Sequence, residues 1–187
     1  EIVLDSRELK SVDLKHWRAG ITIVPQDPTL LSGTVRYNLD PFGVETDEKI
    51  IGMLTKLDLW QKFGQKGGLN CHIEVGGSNL SQGEKQLMCL CRGLIEKSKL
   101  VLIDEATASI DESREQEVLT LMKEELAGCT VLTIAHRLNT VLNSDFILVM
   151  EDGRIVEFNR ASILKSDPYS KFSTMIGAKR DSKEYLG

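Results

Sequence analysis

Leu100-Val101-Leu102-Ile103-Asp104-Glu105-Ala106-Thr107-Ala108-Ser109-Ile110-Asp111 is the stretch on which the fold turns. Its first four residues are apolar, too few for an ordinary helix and rich in β-branched side chains, which predicts a strand buried on both faces of a parallel sheet. Two adjacent carboxylates then end it. A strand that leaves a core at Asp104 and Glu105 sets both acids at the carboxyl edge of the sheet, where open α/β folds bind their ligands. Adjacent acids there can divide the work. One holds a divalent cation directly or through its water, as hard oxygen ligands hold Mg2+, while its neighbour polarises an attacking water. Such a pair suits phosphoryl transfer, in which the protein mainly positions groups and stabilises charge. The same acids also fit the solvated polar turn that closes an ordinary strand.

Outward from this stretch, Ala108-Ser109-Ile110-Asp111 reads as a tight turn into a helix over about Glu112 to Leu126, followed by a second buried strand over Cys129 to Ile134. A helix between two short apolar strands is the βαβ pattern, so the strands should run parallel. His136, just past the second strand, then shares the rim with Asp104 and Glu105, where a histidine can bond a γ-phosphate, orient water or simply support the loop. On the amino-terminal side, Leu80-Ser81-Gln82-Gly83-Glu84 opens a helix running to about Lys97. Ser81 with Glu84 three positions on fits a capping box. A helix amino end presents unpaired N–H groups and partial positive charge, and Gly83 lets an anion approach the backbone; a capped helix without a ligand fits equally.

Farther out, Ile2 to Leu4 reads as a short strand ending at Asp5, and Val12 to Arg18 as a short helix with Ser11 as its cap and Gly20 as its stop. Ile21 to Val24 is a strand stopped by Pro25, which leaves Gln26 just beyond a strand end. A glutamine there either lends its carbonyl to a metal or its water, or is an ordinary loop residue. No helix is expected over Asp27 to Gly33. Helices are expected from Thr34 to Trp60, with a break at Asn38-Leu39-Asp40-Pro41 and a new start at Thr46, before an irregular glycine-rich segment from Phe63 to Ser78. Phe146 to Met150 and Arg154 to Phe158 form a hairpin over Asp152-Gly153. A short helix near Ala161 to Lys165 follows, and a polar, mobile tail from Lys179.

Composition sets the outer bounds. The 187 residues are 41% hydrophobic and 27% charged, ordinary globular values for one domain, or one with a subdomain. Net charge is −5 without a basic block, so no nucleic-acid partner is expected. No apolar run reaches the length of a membrane span, and no signal peptide opens the sequence. Cys71, Cys89, Cys91 and Cys129 lack disulfide-framework or zinc spacing and are expected to be reduced core thiols of a cytosolic chain. The start at Glu1, directly in a strand-like segment, suggests a piece of something longer.

Taken together, Val24-Pro25-Gln26-Asp27, Leu80-Ser81-Gln82-Gly83-Glu84, Leu102-Ile103-Asp104-Glu105-Ala106, Ala108-Ser109-Ile110-Asp111 and Ile134-Ala135-His136-Arg137 resemble the Q-loop, signature, Walker B, D-loop and H-loop of an ATP-binding cassette (ABC) ATPase, in that order. The wording Val-Pro-Gln-Asp-Pro, Asn-Leu-Asp-Pro-Phe and Asp-Glu-Ala-Thr-Ala-Ser-Ile-Asp is most similar to the second nucleotide-binding domain of C-subfamily, multidrug-resistance-associated exporters. Glu105 agrees with the second domain, because the first often lacks that glutamate; Glu84 departs from the subfamily's usual Gln.

The resemblance implies an α/β fold of the P-loop NTPase (RecA-like) type, a parallel sheet with an inserted α-helical subdomain. It implies core segments at 1–33 and 98–158, the helical subdomain with the signature at 34–97, and a carboxyl-terminal helix and tail at 159–187. Asp104 would help hold Mg2+, and Glu105 would be the base or water-orienting residue. His136 would contact the γ-phosphate of ATP, and Gln26 would join the Mg2+ shell while coupling the site to membrane helices. The signature residues Leu80, Ser81, Gln82, Gly83 and Glu84 would close on ATP held by a second nucleotide-binding domain in a head-to-tail pair, with Asp111 crossing that interface. The partners implied are that second domain and the transmembrane domains of the same transporter, at the cytosolic face of a membrane.

No Gly-x-x-x-x-Gly-Lys-Ser/Thr occurs in the sequence, so the Walker A strand and loop, which supply the phosphate cradle, are expected upstream of it. The chain then reads as the carboxyl-terminal part of a transporter's ATPase domain, unable by itself to hold ATP in its own site and with an apolar strand edge left unpaired. A second reading is a non-catalytic product that lends its signature helix in trans to an intact domain. The ATPase heads of chromosome-maintenance and repair proteins also carry signature and Walker B motifs. Those heads insert a long coiled coil between Q-loop and signature, and the stretch between Gln26 and Leu80 is short and shows no sustained heptads. Soluble ABC proteins of translation share the motifs as well.

Overall fold

The computed structural model of the protein describes residues 2–4, 6–135 and 137–184. Two compact units divide the chain, 1–134 and 135–187. In the first, β1 (Val3–Leu4) and β2 (Arg7–Glu8) make a small antiparallel hairpin. The first helix starts later than its sequence suggests: Leu9–Ser11 forms a 3-10 turn, and α1 spans Leu14–Ala19. Its cap is Asp13, whose carboxylate accepts from the Lys15 N–H at 3.2 Å, while the Ser11 hydroxyl donates to the Glu8 carbonyl at 2.7 Å. Both residues are able to cap, and the 3-10 turn commits Ser11 elsewhere.

After β3 (Ile21–Val24) the chain crosses a loop without helix to β4 (Gly33–Thr34), α2 (Val35–Leu39), α3 (Asp47–Lys56) and α4 (Trp60–Gly64). Thr34 and Thr46 cap α2 and α3 as their side chains accept from the Tyr37 and Lys49 N–H groups. The break between these helices is organised by buried Asp40, whose carboxylate accepts from the N–H groups of Val44 at 3.1 Å and Glu45 at 2.9 Å and pairs with Arg36. Burial pushes the Asp40 carboxyl up, but these donors outweigh it and hold the group below its ordinary value. The glycine-rich segment is mostly turns, with β5 (His72–Ile73) pairing antiparallel to β4.

Then come α5 (Gln82–Glu96), β6 (Leu100–Asp104), α6 (Glu112–Glu125) and β7 (Thr130–Ile134). The central sheet is parallel, ordered β3-β6-β7, with Val24 opposite Ile103 and Asp104 opposite Ile134. Parallel order follows from the α6 crossover, as the sequence pattern requires. One face packs against α5 in a core that includes Val24, Val101, Ile103, Met88, Leu90 and Leu94. Helix and strand meet closely at Gly93, where a Cβ would stand 2.5 Å from Val24 Cγ2. A side chain of any size there would push α5 off the sheet.

Burial on both faces, expected for β6 and for the strand after it, does not occur. Val101 and Ile103 are buried while Leu100 and Leu102 are half-exposed, and on β7 Leu132 and Ile134 are 59% and 58% exposed. The residues have the β-branched and aliphatic character of a doubly covered sheet, but helices of this unit pack on one side of it.

The second unit contains α7 (Leu138–Val141), a hairpin of β8 (Phe146–Glu151) and β9 (Arg154–Arg160), α8 (Ala161–Ser166) and α9 (Lys171–Glu184). Asp152 and Gly153 both have positive φ, 49° and 73°, matching a tight primed turn. Ile147, Ala161, Leu164, Phe172 and Ile176 form its core. Helix α9 continues to Glu184, beyond Lys179 where the sequence suggests a polar tail. Its start is well held: the Glu157 carboxylate accepts from the Lys171 and Phe172 N–H groups at 2.6 and 3.1 Å, and Phe172 and Ile176 anchor it by burial.

Candidate functional site

The parallel register brings two strand ends to one edge. Asp104, the last residue of β6, is half-buried; Glu105 leaves the strand with φ +47°, a left-handed conformation uncommon for a non-glycine residue. Backbone partners hold it there. The Glu105 N–H donates to the Ile134 carbonyl at 3.0 Å, and its carbonyl accepts from the Ala108 N–H at 3.0 Å and from Gln86 Nε2 at 2.9 Å. One strand over, Gln26 follows β3 and its Nε2 donates to Glu105 Oε2 at 3.2 Å. Gln26 and Glu105 are thus neighbours because β3 and β6 end together. His136 lies outside the described residues.

The start of α5 meets the same edge from below. Ser81 Oγ accepts from the Glu84 N–H at 3.2 Å and the Glu84 carboxylate accepts from the Ser81 N–H at 2.7 Å, so the capping box read from the sequence is complete. Lys62 of α4 places Nζ 2.7 Å from both Glu84 oxygens. Burial raises the Glu84 pKa, but Lys62 and the Ser81 N–H outweigh it and leave the carboxyl below its ordinary value. Leu80 is buried and Gln82 exposed. A Cβ on Gly83 would stand 2.9 Å from the Ser109 carbonyl oxygen, so the missing side chain there serves a close approach between α5 and the turn after the acids. Asp111 is exposed at the start of α6, makes no side-chain cap bond, and accepts at its carbonyl from the Arg114 and Glu115 N–H groups.

Several residues important to this geometry were not singled out by sequence reasoning. Gln86 is buried on α5 and joins it to the acid turn, accepting from the Ser109 N–H at 2.8 Å while donating to Glu105. Thr107 donates to buried Glu115 of α6 at 3.0 Å. Arg92 of α5 donates to the Asn38 carbonyl at 2.6 Å and the Thr29 carbonyl at 3.3 Å, which ties down the loop following Gln26. A signal existed for Gln86: it stands in the buried stripe with Cys89, Leu90 and Gly93, where a polar side chain needs buried partners.

Among the described residues no cluster of three or more His, Cys, Asp or Glu side chains is placed to hold a metal. An edge with two adjacent half-buried carboxylates, Asp104 and Glu105, suits a hard cation held by one of them that takes its other ligands from water and phosphate, as Mg2+ commonly does. The cysteines are free; Cys89 and Cys91 are buried, and burial pushes both thiols up. Also among the described residues, no helix is long and apolar enough to cross a membrane.

A parallel β-α-β sheet with acids on its carboxyl rim and a capped helix end beside them defines an open α/β ligand-binding domain. The chain belongs to the ABC transporter family, whose sequence model matches residues 1–108. It is 41% identical over 175 residues to ATP-binding cassette sub-family C member 10 of Mus musculus, covering 94% of this chain and 12% of that protein. It is 39% identical over 196 residues to the ATP-dependent bile acid permease of Saccharomyces cerevisiae, covering 93% of this chain and 12% of the permease. The chain therefore spans about an eighth of the length of these curated relatives. Among solved structures, a bacterial Atm1-family ABC exporter with ATP bound superposes with a TM-score of 0.86 at 28% identity, over 95% of this chain and 32% of that one. The fold is that of an ABC exporter's nucleotide-binding domain, as the motif order implies.

Proposed function

We propose that the chain is the carboxyl-terminal part of a nucleotide-binding domain, the second of its kind in a C-subfamily ABC exporter, and that the whole protein couples ATP hydrolysis to export. The observation that carries this reading is the meeting of Gln26 and Glu105 at 3.2 Å on the rim beside Asp104. Asp104 would help hold Mg2+, Gln26 would join its shell, and the ion would supply charge neutralisation during phosphoryl transfer. Glu105 orients the attacking water and accepts its proton, with His136 at the γ-phosphate. The Leu80 to Glu84 end of α5 faces ATP held by a second nucleotide-binding domain in a head-to-tail pair, and Asp111 crosses to that domain. Residues 1–33 and 98–158 belong to the ATPase core and 34–97 to the helical subdomain, which docks on the transmembrane domains at the cytosolic face; 159–187 form the carboxyl-terminal extension.

In the full-length protein, Glu105→Gln is expected to keep ATP binding and to slow turnover by roughly 10²-fold, the size of losing a general base. Nucleotide binding and steady-state hydrolysis measured side by side check it. Hydrolysis at the unmutated rate removes Glu105 from the proton-transfer role.

A further inference from the structure

We infer that Gln86 is a positioning residue, which fixes the peptide of Glu105 and the turn after it against the amino-terminal part of α5. The inference rests on the reading of Glu105 as the carboxylate that handles the attacking water. Gln86 is 2% exposed, on the helix stripe that packs into the core. A primary amide in such a place is costly unless both its ends are satisfied. Both ends are spent on one short turn: Oε1 accepts from the Ser109 N–H at 2.8 Å and Nε2 donates to the Glu105 carbonyl at 2.9 Å.

What is held there is a strained residue. A glutamate at φ +47° persists only where its surroundings over-determine it, and its Cα–Cβ direction sets where the carboxylate points. The Ile134 carbonyl fixes the Glu105 N–H, and Gln86 and Ala108 share the Glu105 carbonyl. From the other side, Thr107 is tied to Glu115 of α6 at 3.0 Å. The contact of Gly83 with the Ser109 carbonyl keeps α5 close enough for the Gln86 amide to span the turn. Loss of the amide leaves the part-buried Ser109 N–H contact unmade and frees the Glu105 peptide to relax toward an ordinary conformation, which swings its carboxylate away from Gln26. The effect belongs to the chemical step and not to nucleotide affinity.

The test uses the full-length protein with Gln86→Leu, which fills the space without hydrogen bonds, and Gln86→Glu, which keeps the acceptor for Ser109. Glu105→Gln is the reference. ATP hydrolysis is followed from roughly pH 6 to about 8.5, and in Gln86→Leu kcat should fall about tenfold or more with KM for ATP within about twofold. In Gln86→Glu the rate relative to the unmutated protein should rise as pH falls. A protonated carboxyl restores the donor to Glu105, and burial raises the pKa of a carboxyl placed there. Amide exchange at Ser109 should quicken in Gln86→Leu. A kcat for Gln86→Leu within about twofold of the unmutated value, a change confined to KM, or a flat pH ratio for Gln86→Glu overturns the inference. If Gln86→Leu does not fold, Gln86→Glu carries the test. An unmutated protein without ATPase activity, or Glu105→Gln turning over at the full rate, overturns the reading of Glu105 itself; a failure confined to the Gln86 variants leaves that reading standing.

Discussion

The two faces of the central sheet are lined by the same kind of side chain and meet opposite surroundings. Val24, 1% exposed, and its neighbour Ile23, 63% exposed, are adjacent β-branched residues of one strand, turned to opposite faces by the pleat. On the side of Val24 the helix backbone comes within touching distance at Gly93, and the strand residues interdigitate with Leu87, Met88 and Leu94 of the same core. On the side of Ile23, Leu132 and Ile134 of β7 continue an apolar surface that stays open. Side-chain chemistry states what a face prefers, whereas a close-packed neighbour decides whether it is buried.

The contrast breaks most readily on the covered face. Gly93→Ala introduces a Cβ that overlaps Val24 Cγ2, and the expected loss is about 3 kcal/mol in urea unfolding, at the upper end of overpacking costs. Pairing it with Val24→Ala should recover part of that loss, because the clash and the truncation share one space. Strictly additive losses would mean that α5 is not seated on β3 at this point. Ile103→Ala, a truncation on the same face, should cost about 3 kcal/mol, while Leu132→Ala on the open face should cost less than about 1. Similar values for the two would erase the distinction between the faces.

How far the sequence reveals this arrangement depends on the range of the interaction. The capping box at Ser81 is legible because its partners are three residues apart, and the Asp152-Gly153 turn because two neighbouring residues determine it. The parallel order of β6 and β7 follows from the length of α6, which no hairpin accommodates. What escapes is set by distant atoms. The Ala108 N–H is the one sequence neighbour seen to bond the Glu105 carbonyl, and the left-handed backbone of Glu105 depends as well on the distant carbonyl of Ile134 and amide of Gln86. Gly83 reads naturally as room for an anion, and its structural neighbour is the Ser109 carbonyl. Asp13 and Ser11 are equally good caps on paper, and the tertiary path of the chain selects one.

A smaller effect concerns how α5 is held at the end that reaches the rim. Lys62→Met removes the ion pair to Glu84 and is expected to cost about 1 kcal/mol near neutral pH, as a charge-assisted pair that is roughly two-thirds buried. The sign of the pH dependence follows from the depressed Glu84 pKa. A carboxyl that ionises more readily folded than unfolded contributes stability above its unfolded pKa, and the contribution is lost as pH falls through the folded value. The difference between Lys62→Met and the unmutated protein should therefore be largest at neutral pH and shrink in acid, seen by thermal melts across that range. A difference that persists after Glu84 is protonated would point to packing of the lysine stem instead.

The smallest change in folding stability should come from the open face, where Ile23→Thr with Leu132→Thr exchanges two exposed aliphatic side chains for β-formers with a hydroxyl. Neither original side chain is buried in this chain, so stability should move by less than about 0.5 kcal/mol. Association is a different matter. Ile23, Leu132 and Ile134 make an apolar surface, and β7 stands at the edge of the sheet among the described residues, features that favour contact between copies. The double substitution should therefore lower self-association of the 187-residue chain, read by sedimentation at several concentrations, while leaving its melting temperature nearly unchanged. A substantial drop in melting temperature would show that this face is packed in solution. Unchanged association with unchanged stability would move the source of contact from the face to an edge of the sheet, β3 or β7, where backbone pairing does not depend on these side chains.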